Sequence, residues 1–372
     1  MNNPKMYGPD RKRTGQDKLL KLEAIRGAAA LYVILHHTFN SFFAFGWDLS
    51  LLFRFGQEAV ILFFIISGFV IEISFSKGKD KSFSTYFTKR LIRIYIPLLC
   101  VFMANYALVL FQSDSVRVSW TDFLLNMLML QDLDWIKPNV IVAPLFGNSP
   151  LWSLSYEWWF YMLYFPIMRF FPQKSSQIVY GLGVIAAGTY VICPNFINRE
   201  LMYLVIWWSG VVLARLYAEK EKITLLRLLP LLTIMVIISI VLVLNVIVNY
   251  EEGGVGLSPI LEVRHFFFAV FAILVSLCWC HFRWLFFDQL MTPFIQLAPI
   301  SYGLYISHYF MISNATYLDD LLFAQSGLRL LLYSIICFGF SWLVERVVYV
   351  KINRAYRKKY HSKVLSKLRS FL

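Results

Sequence analysis

Long apolar runs separated by short polar connections make up most of this chain. About 20 mostly apolar residues suffice for one membrane-crossing helix. On that rule ten spans are predicted, at 22–45, 57–75, 91–111, 152–171, 176–193, 198–217, 225–249, 262–282, 293–315 and 324–350. The fifth and sixth are the least sharply separated, and a merged or shifted pair is the alternative reading. Within the long connection 112–150, Trp120 to Leu130 reads as a short amphipathic piece suited to lying on the membrane surface. No internal repeat or low-complexity segment stands out. The expected fold is therefore an all-α membrane protein, a bundle of about ten transmembrane helices. A basic tail at 1–21, a membrane domain at 22–350 and a basic tail at 351–372 are the expected parts.

Composition agrees with that pattern. The 372 residues are 59% hydrophobic and 15% charged, against the roughly 45–50% apolar content of soluble domains. Aromatics reach 18%, as suits helix ends in two membrane–water interfaces. The first apolar stretch is long and has no small-residue cleavage site, so it reads as a span and not as a signal peptide.

A net charge of +13 raises the question of nucleic acid, and its distribution answers it. With the N-terminus inside, the Lys and Arg residues collect on one side. Six lie in the N-terminal tail, and six (Lys77, Lys79, Lys81, Lys89, Arg90, Arg93) lead into the third span. Nine lie at or beyond the end of the tenth span, and shorter inner connections hold the rest of the 28 inside. Only Arg54, Arg117, Lys137, Arg199, Arg264 and Arg329 fall outside. This is the positive-inside signature. It places both termini in the cytoplasm, and the tail 351–372 against anionic lipid. The five cysteines lie in or beside apolar segments. Cys278 and Cys280 point about 200° apart on a helix, the wrong geometry for a shared metal. They read as packing residues, and no metal is called for.

Charges inside a span are costly and mark functional suspects. In the first span Arg26 and His37 are eleven residues apart, which places them on one helical face about 16 Å apart along the axis. The plain alternative is an arginine reaching the headgroups and a satisfied interior histidine. His36 points about 100° away from His37 and reads as support.

Arg26, ten residues and then His37 resembles the first-span signature of the acyltransferase-3 family of integral membrane acyltransferases. FFIISGFVI (Phe63 to Ile71), YFTKRLIRIYIP (Tyr86 to Pro97), LWSLSYEWWFY (Leu151 to Tyr161) and ISYGLYISHYF (Ile300 to Phe310) resemble its later segments, in order. Each is weak alone, and five in order are specific. The resemblance implies an inner-membrane O-acyltransferase of bacterial type, acting on surface glycans. It moves an acyl group, acetyl first, from acyl-CoA. Lipid-linked or cell-surface glycan is the expected acceptor, with a small-molecule sugar as the alternative. Some members carry a fused extracytoplasmic hydrolase-like domain; this chain ends 22 residues after its last span, so transfer is expected to be direct or through a separate protein.

Physical chemistry gives these positions roles. By residue count His37, Glu157 and His308 fall at similar depth in the outer half of a core about 30 Å thick. An imidazole there suits a general base for a sugar hydroxyl, and an acyl-histidine relay stays open. Glu157 either orients that base, hydrogen-bonds the acceptor or serves as a structural partner. Arg90 and Arg93 share a helical face at the cytoplasmic boundary, where arginine forks suit the phosphates of CoA; topology control is the plain alternative. Arg26 lies between them and His37. Ser67 and Gly68 either let a narrow chain pass or permit close helix packing. Trp152, Tyr305 and His308 are expected at the substrate, with interfacial anchoring as the plain reading of His308. A secondary transporter would show matched repeats or broken helices, and a scaffold would have no need of an aligned Arg–His face.

Overall fold

The computed structural model describes residues 11–39, 43–44, 47–112, 119–219, 223–249, 257–318 and 326–358. Among them the elements are almost entirely helical. They are α1 (Arg11–Thr38), α2 (Gly56–Ser76), α3 (Phe83–Gln112), α4 (Trp120–Met127), α5 (Trp152–Phe170), α6 (Ser175–Ile192), α7 (Phe196–Ala218), α8 (Leu225–Asn249), α9 (Ile260–His281), α10 (Phe287–Met291), α11 (Ser301–His308) and α12 (Ser326–Trp342). A minimal hairpin pairs β1 (Phe43–Ala44) with β2 (Trp47–Asp48).

Seven helical stretches among the described residues are long and apolar enough to cross a membrane: Ser50–Ser76, Phe83–Phe111, Ser175–Ile192, Phe196–Ala218, Leu225–Val248, Ile260–His281 and Gly327–Lys358. The expected count of ten is not reproduced, and each shortfall has a physical reason. The first span is helical from Arg11 and stops at Thr38, so it draws in the basic residues before 22. α5 is rich in Trp, Tyr and Ser and carries Glu157 and Arg169. The segment 293–315 is not one helix: Thr292–Gln296 and Ala298–Ile300 are separate tight turns with proline at their starts, followed by α11 and a wide turn at Tyr309–Ser313. Pro293 and Pro299 lack the backbone donor that a continuous helix needs. The fifth and sixth spans are distinct helices, α6 and α7, parted by a capping box between Asn195 and Asn198. Helix also runs through both expected domain borders, past 21 and past 350 to residue 358. The rest of the two tails lies outside the described residues. The amphipathic piece of the long connection is present as α4, which Ser119 caps.

α7 is the buried axis of the bundle. Its residues from Met202 to Val211 are inaccessible, Trp207 and Trp208 included. Helices in lipid gain little from simple apolar burial against one another, so they associate by close packing at small residues. Here a Cβ added to Gly68 would stand 2.1 Å from the Trp207 carbonyl oxygen, and one on Gly210 would stand 1.9 Å from that of Ile65. α2 and α7 therefore cross backbone against backbone. The opposite side of the bundle is apolar and unpaired: Val236, Ile240, Leu244 and Ile247 follow one face of α8 and are all exposed. That stripe is suited to hydrocarbon and not to water.

Candidate functional site

α1, α2, α3, α5 and α11 enclose a cavity of about 160 Å³. Arg26, Ser67, Arg90, Arg93, Glu157 and Tyr305 all line it, so six of the nine residues singled out from the sequence meet in one place. Helical spacing explains how α5 contributes. Ser153, Glu157 and Tyr161 recur every four residues, and the three face the cavity together. Arg90, Arg93 and Ile94 come from α3, and Ser301, Tyr302 and Tyr305 from α11.

The arginines are not equivalent. Arg93 is held by the buried carboxylate of Glu345 and lies 5.1 and 5.0 Å from the ring centres of Tyr302 and Tyr349. Arg90 instead stacks on Tyr86 and Tyr161, each 5.6 Å away, and its Nε is buried without a hydrogen-bond partner. Arg26 pairs with Glu23 on its own helix at 3.2 Å, in a partly exposed bridge. Arg90 is thus the guanidinium best placed to meet an added anion.

In the lining of the cavity Glu157 is a hydrogen-bond acceptor. Ser67 donates to its Oε1 at 2.7 Å and Tyr161 donates to the same oxygen. The Trp207 indole N–H donates to Ser67 at 3.2 Å. Oε2 is left for a donor in the cavity. Glu157 does not contact His37, so the structure does not place it as that histidine's orienting partner. Ser67 and Gly68 divide the two roles weighed for them: the serine faces the cavity, and the glycine lets α7 approach.

His37 and His308 lie together beside the cavity, outside its lining. Their ring centres are 5.3 Å apart, and Tyr309 stands 5.3 Å from His37. The link to the cavity is Tyr305, whose ring is 6.1 Å from His308 and whose hydroxyl bonds Ser153 at 2.7 Å. His308 has a defined tautomer. Its Nδ1 lies 2.9 Å from the Tyr305 carbonyl oxygen and 3.1 Å from that of Leu304. A carbonyl can only accept, so Nδ1 carries the proton and Nε2 the lone pair. That Nε2 is buried with no hydrogen-bond partner. His36 turns away to the Phe53 carbonyl, as support for the turn before α2.

Trp152 is not in the cavity. It packs one residue further out, parallel to His265 at 6.1 Å and under Lys137 Nζ at 4.0 Å. It belongs to a buried ionic group in which Asp132 accepts from Lys137 at 2.8 Å and Tyr156 at 2.7 Å and lies 3.3 Å from Arg199. Lys137 and Arg199 read from the sequence as outer-loop charges, yet both side chains are fully buried. They pin the connection after α4 onto α5 and α7. Cys278 and Cys280 are exposed, which corrects their reading as packing residues.

Tyr161, Ser153 and Glu345 were missed in the sequence. The i±4 spacing about Glu157 could have found the first two. An acid within the apolar run LVERVV could have found the third.

The family model described as an acyltransferase domain matches residues 19–346. The chain is similar to "Acyltransferase MdmB" from Streptomyces mycarofaciens, 30% identical over 193 residues, which is 49% of this chain and 47% of that protein. The match thus spans about half the length of that relative. No solved structure matches the chain.

Proposed function

The chain belongs to the acyltransferase-3 family, whose domain model it matches across most of its length, and from that premise we propose that it is a membrane O-acyltransferase. Its donor is acyl-CoA, acetyl-CoA first, entering from the cytoplasmic side of a bacterial inner membrane. Its acceptor is a hydroxyl of a lipid-linked or cell-surface glycan. The observation that carries the reading is the cavity lined together by Arg26, Arg90, Arg93, Glu157 and Tyr305, with Tyr305 in ring contact with His308 of the His37–His308 pair.

Arginine on donor phosphates is the expected recognition chemistry, and Arg90 leads because its guanidinium is not already neutralised. Arg93 adds field and holds α3 to the wide helical turn Leu343–Val348 that follows α12. The Oε2 of Glu157 accepts a hydrogen bond from a donor or acceptor group passing the centre of the cavity. His37 takes the proton of the acceptor hydroxyl as the new C–O bond forms at the thioester carbonyl. The C–S bond then breaks, and the CoA thiolate leaves with that proton as the thiol. His308 assists through another residue and is a positioning residue: its buried Nε2 lone pair, unpartnered in the resting arrangement and one ring contact from His37, takes the N–H of His37 when substrate is bound, which turns the other imidazole nitrogen of His37 to the substrate. The same logic holds a catalytic histidine in its working tautomer elsewhere.

Mass spectrometry of surface glycans from cells with and without the gene tests the function. A loss of acyl mass from one glycan in the deleted strain supports it. Unchanged glycans, with an acylated small sugar missing from the medium, would move the acceptor to the small-molecule class.

A further inference from the structure

A second cavity, of about 360 Å³, lies on the other side of α1 and α2 from the site described above. Helical periodicity separates the two. Lys21, Leu22 and Ile25 face this cavity while Arg26 faces the first, and Ile65, Ile66 and Phe69 of α2 face it while Ser67 does not. Its remaining walls come from α7 (Leu213, Tyr217) and α9 (Phe268 to Cys280). The walls are almost wholly apolar, and they lie at membrane depth, where the surrounding solvent is hydrocarbon. At one end the lining passes to Lys21, Trp279 and Trp284, the residue types that sit at headgroup level. Lys21 Nζ is there 2.6 Å from the Asp288 carboxylate and 4.4 Å from the centre of the Phe287 ring. The lysine is largely covered, at 16% exposure, and the aspartate is open, at 79%.

We propose that this cavity holds one hydrocarbon chain of a phospholipid from the cytoplasmic leaflet, with its headgroup at the Lys21–Asp288 pair. An apolar cavity with a few polar groups at its mouth is the usual form of a site for such a ligand. The mouth also selects among headgroups. A cation and an anion side by side complement a zwitterionic phosphoethanolamine, its phosphate toward Lys21 and its ammonium toward Asp288. A purely anionic headgroup would meet the Asp288 charge. Because α1 separates the two cavities and carries both Arg26 and His37, a lipid wedged between α1 and α9 holds the donor arginine and the base in register. The site itself does not depend on the reaction proposed above.

The test is native mass spectrometry of the full chain released from nanodiscs that contain phosphatidylethanolamine and phosphatidylglycerol in equal amounts. Wild type is expected to retain one phosphatidylethanolamine. Ala272→Trp with Ser276→Trp, one turn apart on α9 and both in the lining, should lose it. Lys21→Ala with Asp288→Ala should keep a lipid but lose the headgroup preference. Equal retention by wild type and the filled variant, or none by wild type, overturns the proposal. Should the filled variant fail to fold, a phospholipid with a photoactivatable chain serves on the wild type. Adducts at Ile66, Phe69 or Phe271 support the site. Adducts confined to the outward face of α8, at Ile240 and Ile247, overturn it.

Discussion

The imidazole rings of His37 and His308 stand 5.3 Å apart, one from the first long helix and one from the short helix α11. They are 271 positions apart in the chain, and folding makes them neighbours. With Nδ1 of His308 given to two carbonyls, its lone pair is on Nε2.

This pairing predicts a split between two substitutions at His308. His308→Gln keeps an acceptor near the Nε2 position and should retain most transfer. His308→Asn loses that acceptor and should lower kcat by about 10²-fold or more, short of the roughly 10⁴-fold loss seen where a triad histidine takes the wrong tautomer. Donor KM should move little in either. Nitrogen NMR of histidine-labelled protein adds a readout that a purely structural role would not move: the ring-nitrogen shifts of His37 should change tautomer in His308→Asn and stay as in wild type in His308→Gln.

The donor end predicts an asymmetry between the arginines. Arg90→Ala should weaken acyl-CoA binding without destabilising the protein, and Arg90→Lys should not restore the fork. Arg93→Ala should also cost about 3 kcal/mol of stability, the lower end for a buried pair left half-made, because Glu345 is 1% exposed. Adding Glu345→Gln should recover much of that stability. Thermal unfolding and donor binding, measured side by side, separate the two effects.

Much of this site was legible in the sequence because helices convert spacing into direction. Arg26 and His37, or Arg90 and Arg93, share faces by arithmetic, and six expected residues do line one cavity. Tertiary partners were not legible. Nothing local tells that Glu345 closes on Arg93, or that Trp152 packs against His265 and not against the substrate. The helical bundle was legible too, while the exact number of spans was not. Hydropathy cannot see that Pro293 and Pro299 break a run, and the tyrosines, tryptophans and charges of α5 lower its hydropathy although it stands as a helix over 152–170. Ser113, Asp319 and Ser366, natural sites for testing sidedness, lie outside the described residues.

The helix crossing predicts that Gly68→Ala and Gly210→Ala each destabilise the fold by about 1–3 kcal/mol, the usual cost of overpacking. The added methyl meets backbone, which cannot rotate away. Gly181→Ala, which meets nothing within 4 Å, is the control and should be neutral in the same thermal assay.

The charge distribution predicts sidedness. In a chain freed of its own cysteines, of which Cys193, Cys278 and Cys280 are exposed, Asp134→Cys should react with an impermeant thiol reagent added to intact cells. Ser82→Cys should react only after the membrane is opened. Both positions are exposed. Labelling of Ser82→Cys from outside would reverse the topology, and with it the approach of donor and acceptor from opposite sides.

The central claim is that His37 takes the acceptor's proton at the end of a cavity that binds acyl-CoA. It is tested most directly in inside-out membrane vesicles given acetyl-CoA labelled in the acetyl group, with label counted in the glycan fraction and donor binding measured in parallel. The account predicts that His37→Ala inserts normally, binds the donor as wild type does and transfers no label, while His36→Ala transfers a substantial share. Full transfer by His37→Ala, or equal loss in both variants, would contradict it.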